Sequence, residues 1–298
     1  MKVYIKDHCS NAGKWIYRGY FSAWNFLKYE PVFYNNLKII KEQEYMIMST
    51  DSSLSVEDLD IIGRSKKSFI FVQPNFFPDP WGKHPNFSCS CSNEIISTLN
   101  KMENVILWTF LDVKNEYYKK WKQVHTIPLA YDSINYKHAK DKTYQFDVCF
   151  IGGIADNGFN EKHQIMLSHF NPLYKSDLKC GLFINKNLTH EEETKILYNS
   201  KVSINIHDAY QRKLGLDSNE RTFKSLGLNG CLVSDEIDQI SRIFPDIKMS
   251  SDPDAMLDMV KHYVLMENDQ LKELKNKNRD LINKKHTYIE RVKELLEK

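Results

Sequence analysis

The chain alternates short apolar runs with stretches in which apolar residues recur at helical spacing. Residues 3–5 read as a first strand, and residues 15–27 follow with a helical pattern. Further strands are expected at 31–34, 45–48, 69–72, 105–111 and 126–129. Near-continuous apolar runs of this length suit parallel strands covered on both faces. A polar stretch, 132–145, then separates this series from a second one. The second has strands at 146–151, 182–184, 202–206, 231–234 and 247–249, with helices near 161–168, 191–200 and 221–227. From Asp254 the pattern is helical, with breaks near Asn268 and His286. Strand–helix alternation predicts α/β architecture with doubly wound sheets. The expectation is two Rossmann-like domains, 1–138 and 139–298, facing a central cleft and closed by a C-terminal helical tail. A ligand should sit where the carboxyl ends of the strands meet.

Composition narrows the classes of function. At 298 residues the chain is long enough for two domains, and 42% hydrophobic with 27% charged residues is globular. The formal net charge of +2 comes with no clustered basic face, so no nucleic-acid partner is expected. The opening MKVYIKDHC turns polar too soon for a secretory signal, and no run approaches the ~18 apolar residues of a membrane span. A cytoplasmic protein is expected, with room for loose peripheral attachment at the inner face of a membrane. Cys149 and Cys231 lie in apolar strand runs, and Cys89 and Cys91 form a C-x-C pair with no second pair. Reduced thiols, rather than zinc or disulfides, follow from that pattern with Cys9 and Cys180. Residues 74–92 form a loop with four prolines and Trp81, either functional or an ordered surface excursion.

The densest chemistry lies between Lys201 and Asp235. A buried strand ends at Asn205, His207 and Asp208, a polar loop carries Arg212 and Lys213, and a helix opens with Arg221, Thr222 and Lys224. Ser218 and Asn219 are good caps for that helix. Cations are disfavoured at a helix N-terminus. An anion held by the free N–H groups and closed over by Arg221 and Lys224 would explain them. The bland alternative is a surface Arg221 paired with Glu220 or Asp217, and a solvated Arg212–Lys213 pair. His207 sits at the strand end that faces ligand in such sheets, although a lone histidine is more often structural. Gly152 and Gly153 follow the strand at 146–151, where glycine lets backbone approach a phosphate. Neither a dinucleotide G-x-G-x-x-G fingerprint nor a P-loop is present. The layout suits the diphosphate of a nucleotide-sugar.

Four segments, FDVCFIGG, SKVSINIHD, ERTFKSLGLNGCLVSD and HTYIERV, resemble the donor half of GT-B glycosyltransferases of the spore-maturation, family-1-like type. The resemblance covers residues 146–292, and the N-terminal half matches only in layout. It implies a metal-independent, cofactor-free transferase. The sugar would pass from a nucleotide-sugar donor to a glycan, lipid-linked or protein acceptor. The alternative is a non-catalytic nucleotide-sugar or phosphate-ligand binding protein on the same fold. One departure stands out: the resemblance implies a Glu after Arg-Thr-Phe to hold the donor ribose, and this chain has Lys224. Either Lys224 binds phosphate, or another acid, Glu220 or Asp235, serves the ribose, or the donor is unusual. An acceptor-side base is expected at strand ends of the first domain, where Asp51, Asp112 and His8 stand, each with helix capping as its plainer role. Gly13, Lys14 and Trp15 are read as the first strand–helix loop, able to touch donor phosphate or acceptor.

Overall fold

The structure is a computed structural model that describes residues 1–8, 11–72, 91–114, 116–154 and 161–298. Cys9, Cys89 and nearly all of the proline-rich loop lie outside the described residues. The chain divides into two units, Met1–Pro128 with Tyr288–Lys298, and Leu129–Thr287.

The first unit runs β1 (Lys2–Lys6), α1 (Asn11–Phe26), β2 (Glu30–Tyr34), β3 (Tyr45–Thr50), α2 (Asp58–Arg64), β4 (Lys67–Phe71), α3 (Asn93–Leu99), β5 (Val105–Thr109) and β6 (Val124–Thr126). Among the described residues the strands form one parallel sheet in the order β2-β1-β3-β4-β5-β6. The sheet reverses direction of growth between β1 and β3. Ile47, Ile70 and Leu107 on one face pack with Leu59 and Ile62 of α2 and Ile95 and Leu99 of α3. Across the sheet, Trp24 of α1 is fully buried with its ring 5.7 Å from that of Phe69. Full burial of such side chains contributes roughly 2–3 kcal/mol each.

The second unit runs β7 (Val148–Gly152), α4 (Lys162–Lys175), β8 (Cys180–Ile184), α5 (His190–Asn199), β9 (Val202–Asn205), α6 (Ala209–Leu214), α7 (Glu220–Leu228), β10 (Leu232–Ser234), α8 (Asp238–Ile243), β11 (Lys248–Met249), α9 (Pro253–Val264) and α10 (Asn268–Lys285). Its parallel sheet has the order β11-β10-β9-β7-β8, with the reversal between β9 and β7. Val148, Phe150, Val202, Ile204 and Val233 meet Met166 and Phe170 of α4 and Met256 and Val260 of α9. Helix starts are chemically marked: Thr189 and Glu192 form a reciprocal cap on α5, and Asn219 Oδ1 accepts from Thr222 N at 3.3 Å on α7.

Three sequence expectations change here. The polar stretch 132–145 belongs to the second unit, with Tyr131 and Tyr136 buried. The Tyr136 hydroxyl donates to Glu193 Oε2 at 2.7 Å, and Asp132 Oδ1 accepts from Asn135 N at 3.0 Å. The division therefore falls at 128/129 instead of 138/139. The last helix, α11 (Tyr288–Glu297), belongs to the first unit, where Tyr288 lies on Gly19 of α1. A Cβ at Gly19 would come within 2.3 Å of that ring, so the missing side chain sets the packing. Finally, Gly13, Lys14 and Trp15 lie in the first turns of α1, because the helix already starts at Asn11.

Candidate functional site

In an open parallel sheet the ligand crevice forms at the carboxyl edge, where the strand order reverses. In the second unit that point lies between β7 and β9, and Arg221 occupies it. Its Nε donates to Asn205 Oδ1 at 3.1 Å and its Nη2 to the Ile206 carbonyl at 3.2 Å, both at the end of β9. Its Nη1 lies against Gly152 at the end of β7, 1.8 Å from where a Cβ would stand. The guanidinium also rests 5.3 Å from the Phe150 ring centroid. Among the described residues no carboxylate lies within ion-pair distance of Arg221. The hydrogen-bond partners are neutral and the guanidinium is half-buried, with Asp208, Glu220, Asp235 and Glu193 acting on it only from beyond ion-pair distance. Neither Glu220 nor Asp217 takes it, so the surface-pair alternative fails.

Asn205 organises this corner. It is fully buried, its Nδ2 donates to Asn219 Oδ1 at 2.7 Å and to Thr222 Oγ1 at 2.9 Å, and its Oδ1 receives Arg221. Thr222 also accepts from Ser218 Oγ at 2.6 Å and is fully buried. Asn205 and Thr222 therefore hold the start of α7 against β9 and aim Arg221.

His207 is fully buried. Its Nδ1 meets Asp235 Oδ1 at 2.6 Å, its backbone N–H donates to Asp235 Oδ2 at 2.9 Å, and its Nε2 lies 3.3 Å from Ser218 Oγ. Burial pushes the Asp235 carboxyl up. The charge and hydrogen bonds of His207, with Arg212, outweigh this and hold it below the usual carboxylate range. Arg212 lies on α6, not on a loop, with Nε 3.5 Å from Asp235 Oδ2, while Lys213 beside it is exposed. The strand end, α6 and α7 are thus tied together through one buried carboxylate.

Lys224 also departs from expectation. It is buried, its Nζ donates to Glu193 Oε2 at 2.9 Å and stands 3.6 Å from Glu220 Oε2, and it lies 5.6 Å from the Tyr136 ring centroid. Two carboxylates and an aromatic face surround the cation.

Lys162, which the sequence reading passed over, stands nearby at the first position of α4. It is 5% exposed and its Nζ lies 2.7 Å from Asp208 Oδ1. Burial, and then the neighbouring Arg221, press its amine down to about 8 against the pull of Asp208. The signal was available: a lysine in a helix's first turn opposes the dipole as Arg221 does. Asn185, also missed, fixes the glycine turn. Its Oδ1 accepts from Ile154 N at 2.8 Å, and its own N–H donates to the Gly152 carbonyl at 3.0 Å. Gly153 lies under the same side chain, where a Cβ would stand 3.2 Å from Asn185 Oδ1.

The sequence of residues 141–297 matches the model of a family described as glycosyl transferase-like. The chain belongs to the glycosyl transferase-like family. No curated protein sequence matches it. Among solved structures, the N-terminal domain of trehalose-6-phosphate phosphatase from Candida albicans superposes with TM-score 0.55 at 8% identity, covering 99% of this chain and 96% of that one. Glycosyltransferase VinC in complex with dTDP gives 0.51 at 8% identity, covering 100% and 99%. An alpha-glucosyltransferase in complex with UDP and DNA gives 0.51 at 10% identity, again covering 100% and 99%. The two parallel α/β sheets are those of the GT-B fold.

In this glycosyl transferase-like chain the first unit places its candidates separately. His8 and Asp51 stand just past the ends of β1 and β3, the reversal point of that sheet. The His8 ring stacks on Tyr17 at 5.5 Å, and burial lowers its pKa. Asp51 is 2% exposed, opens a short turn at Asp51–Ser53, and its Oδ1 accepts from Ser52 N at 2.7 Å. Asp112 follows β5, which ends at Thr109, two residues earlier than expected. Trp15 is 38% exposed with Arg18 5.8 Å from its ring, Lys14 is exposed, and Gly13 is buried in α1. Among the described residues no three His, Cys, Asp or Glu side chains converge as a metal-holding group, and no helix is long and apolar enough to cross a membrane.

Proposed function

We propose that the second unit binds the diphosphate of a nucleotide-sugar at the β7–β9 reversal, and that the chain transfers its glycosyl group to a glycan, lipid-linked or protein acceptor. The observation that carries this reading is the half-buried Arg221 guanidinium, held by neutral acceptors with no carboxylate, among the described residues, within ion-pair distance. A partly buried cation with no directly paired carboxylate gains from a bound anion. Lys162 at the start of α4 adds a second cation, and the backbone of Gly152 and Gly153 admits close approach. VinC binds dTDP and the alpha-glucosyltransferase binds UDP in their structures, which supports a nucleoside diphosphate here. In transfer, the leaving diphosphate gains charge as the anomeric bond breaks, and fixed cations stabilise that charge without reorganisation. These residues supply such neutralisation with no metal in the scheme.

The departure at Lys224 then has a local answer. Asp235 is committed to His207, which leaves Glu220 as the acid for the ribose hydroxyls, with Lys224 and Glu193 setting its position. His8 and Asp51 are the preferred acceptor-side bases because they share a reversal point in their own sheet. The segment HTYIERV supports placement in the spore-maturation-type group. Binding without transfer is the second reading, favoured by the lysine that stands at 224.

A thermal-shift screen of UDP-, GDP-, dTDP- and CMP-sugars, with NAD and S-adenosylmethionine as controls, tests the class. Stabilisation by a nucleotide-sugar and release of its nucleoside diphosphate with an acceptor present are expected. Stabilisation by NAD or S-adenosylmethionine alone would refute the proposal. Donor binding without transfer across an acceptor panel would select the second reading.

A further inference from the structure

A separate cavity of about 550 Å³ lies in the second unit. Gln145 and Asn199, which precede β7 and β9, line it, so it sits at the amino-terminal edge of the sheet, opposite to Arg221. Five cations surround it: Lys140 and Lys142 from the approach to β7, Lys272, Lys275 and Arg279 from α10. Asp141 is the lining carboxylate, and it is already engaged. It accepts from Thr143 N at 2.8 Å and lies 3.6 Å from Lys195 Nζ outside the lining. Lys140, Lys142 and Lys272 are exposed and, among the described residues, have no ion-pair partner.

Two of the five are fixed in place. Arg279 Nε donates to the Leu228 carbonyl at 2.9 Å, and its guanidinium rests 4.6 Å from the Tyr198 ring centroid. Lys275 Nζ donates to the Ser200 carbonyl at 2.6 Å. Burial presses the Lys275 amine down to about 8, and Arg279 adds to this against Cys231 and Cys149. Like charges gathered in one concavity repel, and an anion among them removes the repulsion. A fixed guanidinium offers a planar fork to phosphate, and long lysines on the rim close as point charges. The volume suits a metabolite.

We propose that this cavity is a second anion site, taking a small soluble molecule that carries a diphosphate or paired phosphate groups. It is independent of the reading given to Arg221. The same phosphate chemistry occurs on lipid headgroups, and the arms of the test distinguish the two sources.

The test uses the full chain and inorganic pyrophosphate, titrated calorimetrically at low salt. Wild type is expected to show two binding events, and Arg221→Ala to keep one. Adding Lys142→Glu with Lys272→Glu to Arg221→Ala should weaken the remaining event at least about tenfold. In the wild-type background the same pair should remove one of the two events with an unchanged unfolding midpoint. Affinity at the second site should fall steeply with added salt. Retention of the second event after both charge reversals, or its absence in wild type, would overturn the proposal. Sedimentation with vesicles of phosphatidylcholine and phosphatidic acid, dependent on Lys142 and Lys272 and without pyrophosphate binding, would also overturn it in favour of a lipid headgroup.

Discussion

Arg221 and Gly152 share one volume: the guanidinium fills the place where any other residue at 152 would put its side chain. The glycine at the end of β7 is therefore required by a residue 69 positions later, on α7. Gly152→Ala must displace the guanidinium, and it also presses on Phe150, 2.8 Å away. The expected result is a stability loss of about 1–3 kcal/mol, with at least about tenfold weaker binding of the nucleoside diphosphate. In an Arg221→Ala background the same change should cost far less affinity. Calorimetry on the four proteins of this cycle checks it, and strictly additive effects would contradict the shared volume.

Lys162 gives the site a pH dependence. Its amine sits near 8 when no anion is bound, so the cation is present below that pH and lost above it. A bound diphosphate favours the charged form. Affinity should therefore be full near neutrality and fall as pH rises through about 8. Lys162→Met should lower affinity by about ten- to a hundredfold at neutral pH and abolish this alkaline limb. A Lys162→Met variant with an unaltered alkaline limb would assign the titration elsewhere.

Asp235 links the site to folding. Its folded-state pKa lies below the ordinary value, so its contribution is complete above the unfolded carboxyl pKa and lost as pH falls through the folded one. Asp235→Asn should destabilise by about 3–5 kcal/mol near neutral pH, since it leaves His207 and Arg212 without their buried partner. The gap to wild type should narrow in acid. Denaturant titrations at neutral and acid pH measure both, and a gap that widens in acid would contradict the sign.

Lys224 separates support from ligand contact. Lys224→Met leaves the half-buried Glu193 and Glu220 beside each other without their cation, so a loss of about 1–3 kcal/mol is expected, partly restored by Glu193→Gln. Nucleotide affinity of the folded protein should change little. A stable Lys224→Met protein with affinity as poor as Arg221→Ala would return Lys224 to the phosphate.

The strands, α7 and the tail helices were legible because each is a short apolar run or a clear apolar stripe with a cap. The tail breaks near Asn268 and His286 match the starts of α10 and α11. Helix α6 was not legible, since AYQRKL has no apolar face and its order rests on Asp235 and Gln211, contacts remote in sequence or made by polar atoms. The stretch 132–145 read as a separator between the two series because its polarity concealed Tyr136, whose ring is buried in the second unit beside Tyr131. The destination of α11 was not legible either, because an amphipathic helix does not name the surface it covers. For the site, residue type marked the cations, while their pairing was not legible. Arg212, Lys224 and Lys162 stand within ion-pair distance of carboxylates, and Arg221, among the described residues, does not.

The central claim is that Arg221 holds a diphosphate. It is tested most directly by calorimetric affinities of a nucleoside diphosphate and of the matching nucleoside for wild type and for Arg221→Ala. Wild type should bind the diphosphate far more tightly than the nucleoside, and Arg221→Ala should erase most of that difference while staying folded. An Arg221→Ala protein that keeps the full diphosphate preference would contradict the account.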